Sequence, residues 1–246
     1  MTTRFLEDIL RQRTEMHRTI DYLTGPGHQA LEQASGLIRS ARDAFMSGIG
    51  ASWNAALAAG TLFDVGGRPV FMREAAELLY FTPIPSSSVI VIISRTGRSI
   101  EIVQLLAKAA ASGAIVIGIT NSADSPLARE AAVSLVVPAK LDHAISVNTY
   151  STLLIAASAL ASSATTGFSS IAEPLLHTVK EAGQFLDLWR EQMEESRWFT
   201  TGASYYFLAR GGSVGTWWMP APVPSVQIVN RNPKECCRSS EKCVKR

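Results

Sequence analysis

Cysteine is missing from all but the end of this 246-residue chain: Cys236, Cys237 and Cys243 are the only three. A body without cysteine has no disulfide framework, and no Cys-x-x-Cys pair is present for a redox or zinc site. Long apolar runs are missing too. The most apolar stretch, Leu153–Ala164, is rich in alanine and serine and too short to span a bilayer. The N-terminus, MTTRFLEDILRQR, is charged and lacks the apolar segment of a secretion signal. These absences point to a cytoplasmic protein with no membrane partner. Charge of one sign is also scarce. The net charge is +2, which does not mark a nucleic-acid binder. Six basic and two acidic residues put +4 in residues 217–246, leaving −2 on the first 216.

The chain is 47% hydrophobic and 18% charged, a globular composition with material for a sizeable core. Phe5, Leu6, Ile9, Leu10, Met16, Ile20 and Leu23 recur at near-helical spacing, and Gly25-Pro26-Gly27 ends that helix. A second helix is expected over His28–Ser40. From residue 43 strands and helices alternate. Strands are expected at Asp43–Gly48, Pro69–Met72, Ser88–Ser94, Ala114–Thr120 and Ser134–Pro138. Helices are expected at Trp53–Phe63, Ala75–Tyr80, Ile100–Ala111, Ser125–Ala131, Asn148–Ser163 and Glu173–Glu195, the last with Pro174 at its start. Such alternation predicts an α/β fold, a parallel sheet covered on both faces. Ligands of such sheets bind at the carboxyl ends of the strands, near the switch in strand order.

Two loops occupy those ends. Gly48-Ile49-Gly50-Ala51-Ser52 lacks both the third glycine of a dinucleotide fingerprint and the lysine of a nucleotide P-loop. Ser94-Arg95-Thr96-Gly97-Arg98-Ser99 brings three hydroxyls and two guanidinium groups to a helix start, where an anion meets free N–H groups and the positive end of the dipole. An ordinary N-cap by Ser99 explains part of the same pattern.

GIGASWNAA, ISRTGRSIE and GITNSADSPLAREA, taken together, resemble the motifs of the sugar isomerase (SIS) domain family. FLEDILRQRTEMHRTIDYL resembles the leading helix of the isomerase half of glutamine–fructose-6-phosphate aminotransferases. The resemblance covers residues 4–216. It implies a three-layer αβα sandwich on a five-stranded parallel sheet of flavodoxin-like order, binding a sugar phosphate of the fructose 6-phosphate or glucosamine 6-phosphate type. It also implies a homodimer in amino-sugar metabolism, with isomerisation, amination or deamination as its chemistry and no cofactor or metal. Gly50, Ser52, Ser94, Arg95, Thr96, Gly97 and Ser99 would hold the phosphate. Where relatives have a glutamate in this loop Arg98 stands here, and Asp142–Thr149 lacks the lysine of the family's E-x-x-V-A-x-T-K stretch. Glu77 and His143 are the candidates for acid/base work; the plainer reading of Glu77 is a solvated helix residue and of His143 a loop residue.

The expected organisation is a helical arm (1–40), a SIS domain (41–166), a connecting helix (167–200), the start of a second SIS domain (201–216) and an irregular basic tail (217–246). Tyr205–Ala209 reads as a strand opening into RGGSVGT, but no helical stripe follows. Instead come Pro220, Pro222, Pro224 and Pro233. The tail is either an ordinary flexible end or the product of a reading frame lost after Thr216. Function then divides three ways: an enzyme whose second half is elsewhere, a non-catalytic phosphosugar sensor, or an inactive fragment. The lost-frame reading predicts that DNA beyond the Thr216 codon encodes, in another frame, the missing helix. Sequencing that finds only the present frame open would contradict it.

Overall fold

The computed structural model describes residues 3–143 and 145–195, together with two short strands at 205–207 and 226–228. Helices α1 (Arg4–Thr24) and α2 (His28–Ser40) lead into strand β1 (Ala44–Gly48). Then come α3 (Ala51–Val65), β2 (Phe71–Met72), α4 (Ala75–Tyr80), β3 (Val89–Ser94), α5 (Ile100–Ser112) and β4 (Ile115–Thr120). They are followed by α6 (Pro126–Glu130), β5 (Val133–Val136), α7 (Asn148–Thr165) and α8 (Ser169–Glu195). The five strands form one all-parallel sheet in the order β2-β1-β3-β4-β5. This is the expected α/β architecture. Strand order switches between β1 and β3, so the loops after those two strands stand side by side.

The unbroken VIVIIS run of β3 is explained by burial on both faces. Val89, Val91 and Ile93 join a core with Met46 of β1, Ala56, Ala59 and Phe63 of α3, and Leu160 of α7. Ile90 and Ile92 point the other way, onto Leu78 of α4, Ile102 and Leu105 of α5, and Leu127 of α6. Alanine dominates the buried faces of α3 and α7, which lets the two helices pack closely. Leu31, Ala34 and Ile38 of α2 are fully buried in the first core. The leading helices are therefore seated on the sandwich.

Three local expectations are revised. The buried stripe of α1 is Asp8, Glu15, Thr19, Ile20 and Leu23, rotated from the apolar stripe because two carboxylates are turned inward. Helix α8 begins at Ser169, so Pro174 lies inside it. Its first turn is wound on the carbonyls of Gly167 and Phe168, which accept from Ser170, Ile171 and Ala172. That anchoring tolerates the one hydrogen bond a proline removes. In the segment expected to be irregular, β7 (Val226–Ile228) pairs in parallel with β6 (Tyr205–Phe207). The RGGSVGT loop and the rest of the tail lie outside the described residues. Among the described residues no helix is long and apolar enough to cross a membrane.

Helix α4 is short and held from outside. Lys108 of α5 donates from Nζ to the carbonyls of Leu78, Leu79 and Thr82 at 2.9, 2.8 and 2.9 Å. A cation at the end of a helix also favours its dipole. Replacing it in Lys108→Met should lower stability by about 2 kcal/mol, measured by urea unfolding. A change under about 0.5 kcal/mol would show the ammonium to be an ordinary surface charge.

Candidate functional site

The site is built where β3 ends. Ser94 is buried, and its hydroxyl accepts from the Gly97 N–H at 3.0 Å, closing the loop into a tight turn. Gly97 has φ of 59°, and a Cβ there would meet Ser125 Oγ at 2.5 Å and Leu127 Cβ at 2.9 Å. Only glycine fits such a left-handed, crowded position. The Gly97 carbonyl accepts from Leu127 N–H at 3.3 Å, so the loop after β3 leans on the start of α6. Ser99 is the N-cap residue of α5 by position, but its side chain makes no cap bond. This corrects the expectation of a Ser99 cap: among the described residues the hydroxyl and the first N–H groups of α5 have no partner, an arrangement suited to an anion.

Beside this loop, Ser52 lies buried in the first turn of α3, behind Gly50, whose φ is 55°. Thr96 Oγ1 accepts from Arg98 N–H at 3.4 Å. Arg95 donates from Nη1 to Ser146 Oγ at 3.2 Å, while its carbonyl accepts from Asn121 N–H and Thr120 Oγ1, both at 3.2 Å. Arg95 and Arg98 have no carboxylate partner among the described residues; Arg98 instead donates to the Asp124 carbonyl at 2.8 Å. The fold thus brings Gly50, Ser52, Ser94, Arg95, Thr96, Gly97 and Ser99 to one end of the sheet.

The profile of the SIS domain matches residues 37–163, just over half of the chain. The chain belongs to the SIS family. Glutamine–fructose-6-phosphate aminotransferase (isomerizing) of Chlorobaculum tepidum is 31% identical to this SIS chain over 127 residues, 51% of this chain but 20% of the relative. Among solved structures, the C-terminal domain of glucosamine-fructose-6-phosphate aminotransferase from Francisella tularensis superposes with a TM-score of 0.75 at 21% identity. It covers 87% of this chain and 64% of that one. Glucosamine-6-phosphate deaminase from Thermotoga maritima gives 0.68 at 20% identity, covering 87% and 63%. This SIS chain therefore spans about a fifth of the curated relative's length and under two thirds of those two solved chains.

The acid/base candidates are not brought together. Glu77 is exposed on α4, on the α5 side of the sheet, and its carboxylate accepts no hydrogen bond among the described residues. His143 lies in the loop after β5. Its N–H donates to Asp8 Oδ2 at 2.8 Å, and its ring Nδ1 is 2.9 Å from Asp8 Oδ1. Asp8 itself is fully buried in α1 and also pairs with Arg11 Nη2 at 3.0 Å. Burial alone would raise its pKa, but the hydrogen bonds from His143 and the charges of His143 and Arg11 together hold it below the usual carboxylate range. Nearby, Glu15 accepts from Lys140 N–H at 3.0 Å. Asp142 accepts from the N–H groups of Val147, Asn148 and Thr149 and from Thr149 Oγ1, capping α7 from a distance.

Sequence reasoning missed Asp8, Glu15, Ser146 and Asn121. The signal for the first two was present: Asp8, Glu15, Thr19 and Leu23 follow one another at helical spacings of seven, four and four, which places acids on a buried stripe.

A carboxyl whose folded pKa is depressed stabilises the fold fully above the ordinary carboxylate range. That contribution disappears as pH falls through the lowered folded value. Asp8→Asn should therefore cost about 3 kcal/mol at neutral pH, and the gap from wild type should narrow in acid. Urea unfolding across pH tests this; a gap independent of pH would contradict it.

Proposed function

We propose that this SIS chain binds a hexose 6-phosphate or the corresponding amino sugar. The phosphate sits at the first turn of α5, between the loops after β1 and β3. The observation that carries this reading is the open start of α5. Ser99 is without a cap bond, and Arg95 is without a carboxylate among the described residues, at the switch point of the sheet. In the proposed complex Ser94, Thr96 and Ser99 donate hydroxyl hydrogen bonds. Arg95 supplies a charge-assisted one, and Ser52 closes the site from α3. Gly50 and Gly97 allow backbone N–H groups to approach the phosphate. Arg98 in place of the family's glutamate makes the loop more positive. The aminotransferase and deaminase relatives, by their names, handle phosphorylated fructose and glucosamine, which supports this choice of ligand.

The chemistry proposed for a complete assembly is aldose–ketose isomerisation, or amination or deamination coupled to it. Glu77 is the acid/base candidate whose carboxylate is unengaged among the described residues. The separation of Glu77 from His143, and the engagement of His143 with Asp8, favour a second reading in which this chain senses the sugar without converting it. Pairing with a second copy is supported by the apolar residues Leu176, Phe185 and Leu188, exposed along α8.

Titration with fructose 6-phosphate and glucosamine 6-phosphate tests the reading. At about a hundredfold excess over the dissociation constant the melting temperature should rise by roughly 5–10 °C. A Ser94→Ala/Thr96→Ala double variant should lose the shift. Stabilisation that survives the double change would show the phosphate to bind elsewhere. Product formation by the isolated chain would overturn the sensing reading, and no shift with either sugar would leave the inactive-fragment reading.

A further inference from the structure

Ser146, the partner of Arg95, belongs to the segment between β5 and α7, which is fixed from α1 on one side and by its own Asp142 on the other. The backbone N–H of His143 and its ring both bond Asp8, whose side chain is fully buried. Arg11 donates from Nη2 to the Leu141 carbonyl at 3.2 Å, and Glu15 takes the Lys140 N–H. On the other side, Asn148 Nδ2 bridges the Asp8 carbonyl at 3.0 Å and Asp142 Oδ1 at 2.7 Å. Asp142 in turn holds the first turn of α7 from Val147 to Thr149. Ser146 therefore stands between two anchors: His143, held by the buried Asp8 carboxylate, and Val147, held by Asp142. Only from there does its Oγ reach Arg95 Nη1.

We infer that the Asp8 carboxylate is a positioning group for the anion loop: through His143 it fixes Ser146, and Ser146 orients the Arg95 guanidinium, while the Asp8 backbone carbonyl steadies Asn148 and Asp142 whatever the side chain. This deepens, and rests on, the reading of the 94–99 loop as a phosphate site. The leading helix α1 is then part of the binding machinery. By reciprocity, a ligand that draws on an oriented Arg95 also tightens the docking of α1. An asparagine at position 8 keeps the shape of the side chain. Its amide, however, puts an NH2 group in place of one of the two accepting oxygens, so either the His143 N–H or the Arg11 guanidinium loses its acceptor and the connection loosens.

The test uses the Arg95 Nε–H signal in ¹⁵N NMR, assigned by Arg95→Lys, alongside calorimetric titration with fructose 6-phosphate. Asp8→Asn should shift or broaden that signal, speed hydrogen exchange of the His143 amide, and weaken fructose 6-phosphate by about five- to tenfold. His143→Ala keeps the backbone bond and loses only the ring contact. It should act in the same direction more weakly and serves if Asp8→Asn does not fold. Lys108→Met, destabilised on the opposite face, should leave the Arg95 signal unchanged, which separates positioning from general loss of stability. The inference is overturned if folded Asp8→Asn or His143→Ala leaves the Arg95 signal and the exchange rates as in wild type. It is equally overturned if affinity falls while the signal does not move. Should wild type bind no phosphosugar, the ligand reading fails, and the NMR and exchange measurements still decide the link from Asp8 to Arg95.

Discussion

The close approach at Gly97 is the constraint on which the site depends. A left-handed residue with no side chain lets the end of β3 fold over against Ser125 and Leu127. That contact sets where the chain can re-enter a helix. It leaves Ser94 closing the turn from below and the start of α5 open above it. The open helix start is a consequence of sheet topology as much as of local sequence. Parallel order puts every strand-to-helix loop at one end, and the switch between β1 and β3 brings the loop of Ser52 to the loop of Ser94.

A second layer of control comes from buried carboxylates. Asp8 and Glu15 are almost without solvent contact, a costly placement for charge unless each oxygen has donors. Arg11 on the same helix supplies some of those donors, and the backbone N–H groups of Lys140 and His143, more than a hundred positions away in the segment after β5, supply others. The leading helix is thereby tied to the same end of the sheet as the anion loop. The connection is polar and specific, unlike the apolar packing that seats α2.

Much of the fold was legible because its signals are redundant. The Val/Ile run of β3, the alanine-rich faces of α3 and α7, and glycine or proline at the turns all point to one parallel sheet. The loop after β3 was legible as a cluster of hydroxyls and arginines at a helix start. What escaped was decided by pairs far apart in sequence. Nothing local marks Asp8 as the partner of His143, or Ser146 as the partner of Arg95. The rotated stripe of α1 left a trace in the spacing of Asp8, Glu15, Thr19 and Leu23, but acids at such positions look like a solvated face until their donors are known. Ser99 misled in the opposite direction. A serine at a helix start is so often a cap that its hydroxyl looks already engaged with the backbone.

The central claim is that a sugar phosphate docks on the first turn of α5. A crystal structure of the chain with fructose 6-phosphate tests it most directly. The account predicts the phosphate within hydrogen-bond distance of Ser94, Thr96 and Ser99, with the Arg95 guanidinium beside it. A phosphate seated instead in the 520 Å³ groove lined by Gln12, Leu62, Tyr150 and Leu175, or anywhere away from that helix start, would contradict it.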